Sequence, residues 1–234
     1  MCGRSACRFS ISYLEGSSLK GVEVLDDLKI GGQLIHSNYE FGCAQTMTNL
    51  FRTQLADGIM GLNKQGLRHI TPNNQNVAIL LRQQQLMIGE NMHYQYQTPV
   101  NHQENYYTTL QKVSYGEHSF QIKDKVLFDT GSTYSYVTST FLSKFQRMVE
   151  KECSCRLKHY RDTLCFPPKT KQKNIIFQFQ NQPMIIDPSA YTYHANGLKC
   201  IELVQDRPPI TIGMNFLRSI KISFFPHQIE WDNL

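Results

Sequence analysis

Several large classes of protein are excluded by what this chain does not contain. No apolar run approaches the ~20 residues needed to cross a bilayer, so no membrane span is expected. Met1 is followed at once by Cys2-Gly3-Arg4, which leaves no room for a secretory leader, and no Asn-X-Ser/Thr acceptor occurs. Taken alone, these absences point to the cytosol. The eight histidines show no His-x-x-x-His pattern and the cysteines no Cys-x-x-Cys pair, so no metal centre is expected. There is no Gly-x-Ser-x-Gly elbow and no phosphate loop. No organic cofactor is implied. Charged residues make up only 18%, and the basic excess of +5 is scattered, apart from a local cluster between Lys151 and Lys173. No basic face interleaved with stacking aromatics is present, so the excess reads as solvated surface and not as a nucleic-acid groove.

What is present is a core-forming, strand-prone composition. The 234 residues suffice for one large domain or two lobes, and 41% are apolar. Thirteen Phe and twelve Tyr beside many Ile, Val and Thr favour strands. The seven cysteines argue for an oxidising compartment, against the other absences. Cys2 and Cys7 precede a strand, and Cys165 and Cys200 flank a strand-rich segment, so these four are the disulfide candidates. Cys153 and Cys155 stand too close for an easy bridge with each other. The odd count leaves at least one thiol without an internal partner.

Along the chain, residues 8–13, the turn Glu15-Gly16-Ser17-Ser18 and residues 19–25 read as a hairpin, and 33–43 as another strand. Ala56–Leu62, broken by Gly58 and Gly61, reads as a buried strand. Thr71-Pro72 reads as the start of a helix running to about Gln85. A polar stretch at 91–105 reads as a connection between lobes. Residues 106–128 give two or three strands. Phe141, Leu142, Phe145, Met148 and Val149 fall at helical spacing within 139–152, which predicts an amphipathic helix. Further strands are expected at 175–179, 184–186, 191–193, 200–204, 210–213 and 220–225, with a turn at Asp206–Pro209. Ile59-Met60-Gly61-Leu62 and Thr211-Ile212-Gly213-Met214 form a weak internal repeat.

One stretch carries chemistry. Leu127-Phe128 runs into Asp129-Thr130-Gly131-Ser132-Thr133, and Tyr134-Ser135-Tyr136-Val137 leaves it. A carboxylate is thereby set at a tight turn, where Gly131 lets the backbone bend and small hydroxyls can bond the acid. Asp26, Asp27, Asp57, Asp124, Asp162, Asp187, Asp206 and Asp232 lack this context and read as surface or turn residues.

Taken together, the chain resembles the pepsin-like aspartic proteases, in particular Cys-rich members related to nepenthesin and plasmepsin V. Phe9–Ser18 resembles the active-site flap, with Tyr13 at the flap tyrosine and Glu15, Gly16 and Ser17 at its tip. Ala56–Leu62 and Ile210–Leu217 resemble the strands that cross the two active-site loops. Phe128–Thr133 resembles the second catalytic loop, Asp187–Tyr191 a C-terminal-lobe motif, and Ile229-Glu230-Trp231 the end of the fold. The resemblance implies an all-β fold with a few short helices, bilobal and lacking the start of the first lobe. Residues 1–98 would be the remainder of an N-terminal lobe and 99–234 the C-terminal lobe. It implies an aspartic endopeptidase with Asp129 as a catalytic carboxylate. Thr130, Gly131, Ser132 and Thr133 would support the loop. A peptide or protein would be the substrate, the chain would be a monomer, and the setting would be secretory, vacuolar, lysosomal or extracellular. The family's first Asp-Thr-Gly-Ser, which precedes the flap, is not in this chain. Nor is a Phe-Ser-X-Cys strand near 85–86, whose cysteine often partners the one matched by Cys43. The expectation is therefore an N-terminally truncated record. The alternatives are a non-catalytic peptide-binding protein, or a homodimer in which two copies of Asp129 meet.

Overall fold

The computed structural model describes residues 7–13, 16–71, 76–80, 85–89, 92–101, 104–160, 163–207 and 209–234, leaving aside the side chains of 68 and 69. Strand predominates, with a few short helices, as the aromatic and β-branched content predicts. The chain divides into two compact units, residues 1–72 and 73–234.

In the first unit, β1 (Arg8–Ser12), β2 (Ser18–Ile30) and β3 (Gln33–Met47) form an antiparallel sheet in that order. The expected hairpin is there, but β2 runs further than the sequence suggested. It continues to Gly31-Gly32, both at positive φ (59° and 82°), the conformation that a two-residue hairpin turn requires. A short 3-10 turn follows at Asn49–Arg52, then helix α1 (Lys64–Ile70). Asn63 caps α1 by accepting from the Gly66 amide at 2.8 Å.

Two expectations fail in this region. Ala56–Leu62 forms no strand; Ala56–Gly61 is exposed, and no described strand offers it a ladder. The helix lies before Thr71 instead of after it, and Thr71 closes it, its amide bonding the Leu67 carbonyl at 2.8 Å. Beyond, Val77-Ala78-Ile79-Leu80 is a strand buried on both faces. A short unbroken apolar run fits a buried strand better than one stripe of a helix. Residues 72–75 and 81–84 of the expected helix lie outside the described residues.

The second unit contains β4 (Val77–Leu80), β5 (Gln85–Ile88), β6 (Tyr96–Pro99), β7 (Tyr107–Tyr115), β8 (His118–Phe128) and β9 (Ser135–Val137). Helix α2 (Ser139–Cys153) follows, close to its expected bounds, with Thr138 accepting from the Phe141 amide at 3.2 Å as its N-cap. Then come β10 (Lys158–Tyr160), β11 (Thr163–Phe166), β12 (Ile175–Phe179), β13 (Gln182–Ile186), α3 (Pro188–Tyr191), β14 (Thr192–Ala195), β15 (Leu198–Ile201), β16 (Leu203–Gln205), β17 (Ile210–Ile212), α4 (Met214–Leu217), β18 (Ile220–Phe224) and β19 (Gln228–Asn233). The expected strand at 191–193 starts one residue late. Asp187 accepts from the Ser189 amide at 2.8 Å, and Pro188 begins a single helical turn through Tyr191.

Among the described residues, three sheets build this unit: β5-β4-β18-β19-β6, β13-β12-β7-β8-β17-β9-β16 and β10-β11-β15-β14. Phe141, Phe145, Phe177 and Phe216 pack as an aromatic chain, and Phe179 joins Phe128 to Trp231. These rings are essentially excluded from solvent, and each contributes about 1.5–3 kcal/mol by burial.

Cys165 and Cys200 are bridged across directly paired positions of β11 and β15, as their placement predicted. Cys7 is also disulfide-bonded, and Cys2 lies outside the described residues. Contrary to expectation, Cys153 and Cys155 are bridged to each other, their Cα atoms 5.1 Å apart. The reason is local. Ser154, at the C-cap of α2, adopts the left-handed conformation (φ 48°) and folds the chain back on itself. Cys43 is free and exposed on β3.

Candidate active site

The Asp129 turn is assembled from three strands of the seven-stranded sheet. β8 delivers Asp129 and β9 carries the chain away. β17 lies parallel to the end of β8 and antiparallel to β9, which holds the turn from behind. The Asp129 amide donates to the Ile212 carbonyl at 3.0 Å. The Met214 amide donates to the Ser132 carbonyl at 2.8 Å, and the Asn215 amide to the Thr133 carbonyl at 3.2 Å.

Within the turn, each carboxylate oxygen of Asp129 has its own donor. The Gly131 amide donates to Oδ1 at 2.8 Å and the Ser132 hydroxyl to Oδ2 at 2.8 Å. Donors of this kind fix the orientation of the carboxylate. Asp129, Thr130 and Ser132 are half-buried, while Gly131 and Thr133 are exposed. The Thr130 side chain makes no hydrogen bond among the described residues. No second carboxylate is hydrogen-bonded to Asp129 among the described residues either.

Two buried polar residues, Ser135 and Asn215, lie beneath the turn and were not singled out from the sequence. The Ser135 hydroxyl donates to Asn215 Oδ1 at 2.7 Å and accepts from the Gly213 amide at 3.0 Å. Asn215 Nδ2 donates to the Glu202 carbonyl at 2.9 Å, and its Oδ1 also accepts from the Phe216 amide at 3.0 Å. These bonds tie β9 to β17 and α4. Gly213 is required by closeness: a Cβ there would stand 2.2 Å from the Tyr134 carbonyl oxygen. The sequence signal was a polar residue, Asn215, two positions after Gly213 in an otherwise apolar stretch. A cavity of ≈ 810 Å³ opens beside Tyr134, with Leu142, Leu164, Leu203 and Tyr193 among its walls.

The sequence model of the family described as eukaryotic aspartyl protease matches residues 89–228. This chain belongs to that family. The match takes in the Asp129 turn and the β17 strand that holds it. It makes the protein an aspartic-type peptidase by family. A search of curated proteins finds no match.

The other residues singled out from the sequence belong to the first unit. The Tyr13 amide donates to the Ser17 carbonyl at 2.9 Å, and the Gly16 amide to the Tyr13 carbonyl at 3.0 Å, closing the tip of the β1–β2 hairpin. Gly16 sits at φ 90°. Ser17 is buried and its hydroxyl accepts from the Leu50 amide at 3.2 Å; Asn49 Nδ2 donates to the Gly16 carbonyl at 2.8 Å. The Tyr13 ring packs at 5.1 Å from that of Phe51. Glu15 lies outside the described residues. Among the described residues there is no cluster of three His, Cys, Asp or Glu able to hold a metal. No described helix is long and apolar enough to cross a membrane.

Proposed function

We propose that the chain hydrolyses peptide bonds as an aspartic endopeptidase, with Asp129 as one carboxylate of a catalytic pair. The observation that carries this is the Asp129 carboxylate itself, fixed by one donor on each oxygen while remaining half-open to solvent. In such chemistry an ionised acid takes a proton from a bound water as the water oxygen attacks the scissile carbonyl. A protonated partner acid gives its proton to the carbonyl oxygen. Two nearby carboxyls cannot both ionise easily, so one stays protonated and the roles divide. Thr130, Gly131, Ser132 and Thr133 support the loop. Tyr13, with Glu15, Gly16 and Ser17, takes the flap role that the family resemblance implies. The cavity beside Tyr134 takes an apolar side chain of the peptide. The bridged cysteines suit a secretory, vacuolar, lysosomal or extracellular setting.

One observation favours a second reading: this sequence carries a single Asp-Thr-Gly-Ser. On that reading the protein holds peptides without cutting them. Digestion of an unfolded protein substrate, followed by mass spectrometry, separates the two. Hydrolysis predicts cleavage at about pH 4 that falls by about 10²–10⁴ in Asp129→Asn. Peptide binding with no cleavage at any pH would leave the second reading. Cleavage indifferent to Asp129→Asn would overturn the first.

A further inference from the structure

A cavity of ≈ 990 Å³ in the second unit lies away from the Asp129 turn. It lies against the upstream part of β8, about 13 Å of strand before Asp129 at ~3.3 Å per residue. β7 pairs with β8 along its length, but on the other side β17 reaches only Val126–Phe128. Among the described residues, no backbone hydrogen bond joins 119–125 to anything except β7. The cavity is lined by the consecutive residues Ile122, Lys123, Asp124 and Lys125. Consecutive side chains of a strand point to opposite faces, so the cavity sits astride an open strand edge. The start of α2 and the turn between β16 and β17 wall it in.

Its charge is mostly of one sign. Lys123 and Lys125 come from β8, Lys144 from α2 and Arg207 from the turn, against Asp124 and Asp206. Asp206 already accepts from the Arg207 amide at 2.7 Å. The Lys125 ammonium stands 3.8 Å over the Tyr107 ring, and that of Lys144 is 5.9 Å from the Phe120 ring. Lys123, Lys144 and Arg207 are in no ion pair among the described residues. Edge lysines discourage pairing with neutral or basic strands. An acidic strand meets no such barrier, and here cations from three separate elements converge on the edge.

We propose that this cleft binds an extended acidic peptide segment, which adds as a strand to the open edge of β8. Main-chain hydrogen bonds to 119–125 supply the affinity, and Lys123, Lys125, Lys144 and Arg207 select the charge. The site stands apart from the hydrolytic reading, and its test reads binding alone.

The probe is a dye-labelled octapeptide of alternating Glu and Val, followed by fluorescence anisotropy with the full chain. Saturable binding is expected. The Lys123→Glu/Lys125→Glu variant weakens it by about tenfold or more, as loss of two charge contacts should. The Lys169→Glu/Lys171→Glu variant makes the same change in net charge outside the cleft and leaves binding unaltered, with circular dichroism showing both variants folded. Two further peptides, N-methylated at either the odd or the even residues, differ from each other: one loses binding and the other keeps it, because only one edge of the added strand faces β8. Equal losses in the two charge variants, equal behaviour of the two N-methylated peptides, or competition by a single-stranded oligonucleotide at matched charge would each overturn strand addition. So would no binding at all.

Discussion

Strands β3 and β7 are both long, both paired in hairpins and both rich in apolar side chains. Yet β7 alternates buried and exposed positions along most of its length, while β3 has no buried residue. β7 lies in a seven-stranded sheet with α2 packed against its neighbour, and the aromatic chain of Phe141, Phe145 and Phe177 fills that side. In the three-stranded sheet, Leu25, Leu34 and Phe41 remain exposed. Hairpin pairing and turn chemistry alone suffice to set a strand's register. Only a second layer gives the strand an inside.

Four substitutions probe that contrast. The largest effect is expected from Trp231→Ala, which empties a fully buried site between Phe179 and Tyr96. It should lower the stability of the second unit by about 3–5 kcal/mol in chemical denaturation. Ser135→Ala comes next. It removes the hydroxyl that serves both the Gly213 amide and Asn215 Oδ1, costing about 1–3 kcal/mol. It should also loosen the Asp129 turn, seen as faster amide exchange at Gly213.

Glu152→Gln acts through pH. The Lys173 ammonium, the His118 ring and the Glu117 amide all donate to Glu152, and they hold its carboxyl down from 4.5 to about 2. Between those values the unfolded chain carries the extra proton, so stability falls as pH drops from 4.5 towards 2. The Gln variant should lose that slope, checked by melting temperature at successive pH values through the window. Phe41→Ser should change least, within about 0.5 kcal/mol, because its side chain lies at the surface with 43% of its area exposed. A large loss there would show that β3 has a covered face after all and break the contrast.

The sequence made the second unit more legible than the first. Helix α2 stood out because Phe141, Phe145, Met148 and Val149 mark one face and are indeed buried. The Asp129 turn stood out because a carboxylate, a glycine and small hydroxyls fall together between two apolar strands, with other family-like motifs in order around them. Ala56–Leu62 misled because apolarity signals burial only when something is there to bury against. Val77–Leu80 misled because Thr71-Pro72 is a strong helix-start signal, while the helix that exists is capped earlier by Asn63. Cys153 and Cys155 misled because spacing ignores backbone hand, and Ser154 takes the left-handed one. Ser135 and Asn215 were invisible as a pair, since their bond joins positions 80 apart in sequence.

That separation also sets an order of events at the ribosome. The carboxylate turn cannot take its final hydrogen bonds until Gly213 and Asn215 have been synthesised. At roughly 5–20 residues per second, the 80 residues between Ser135 and Asn215 correspond to a wait of about 4–16 s. During that time Asp129 exists in the growing polypeptide without the strand that holds it from behind.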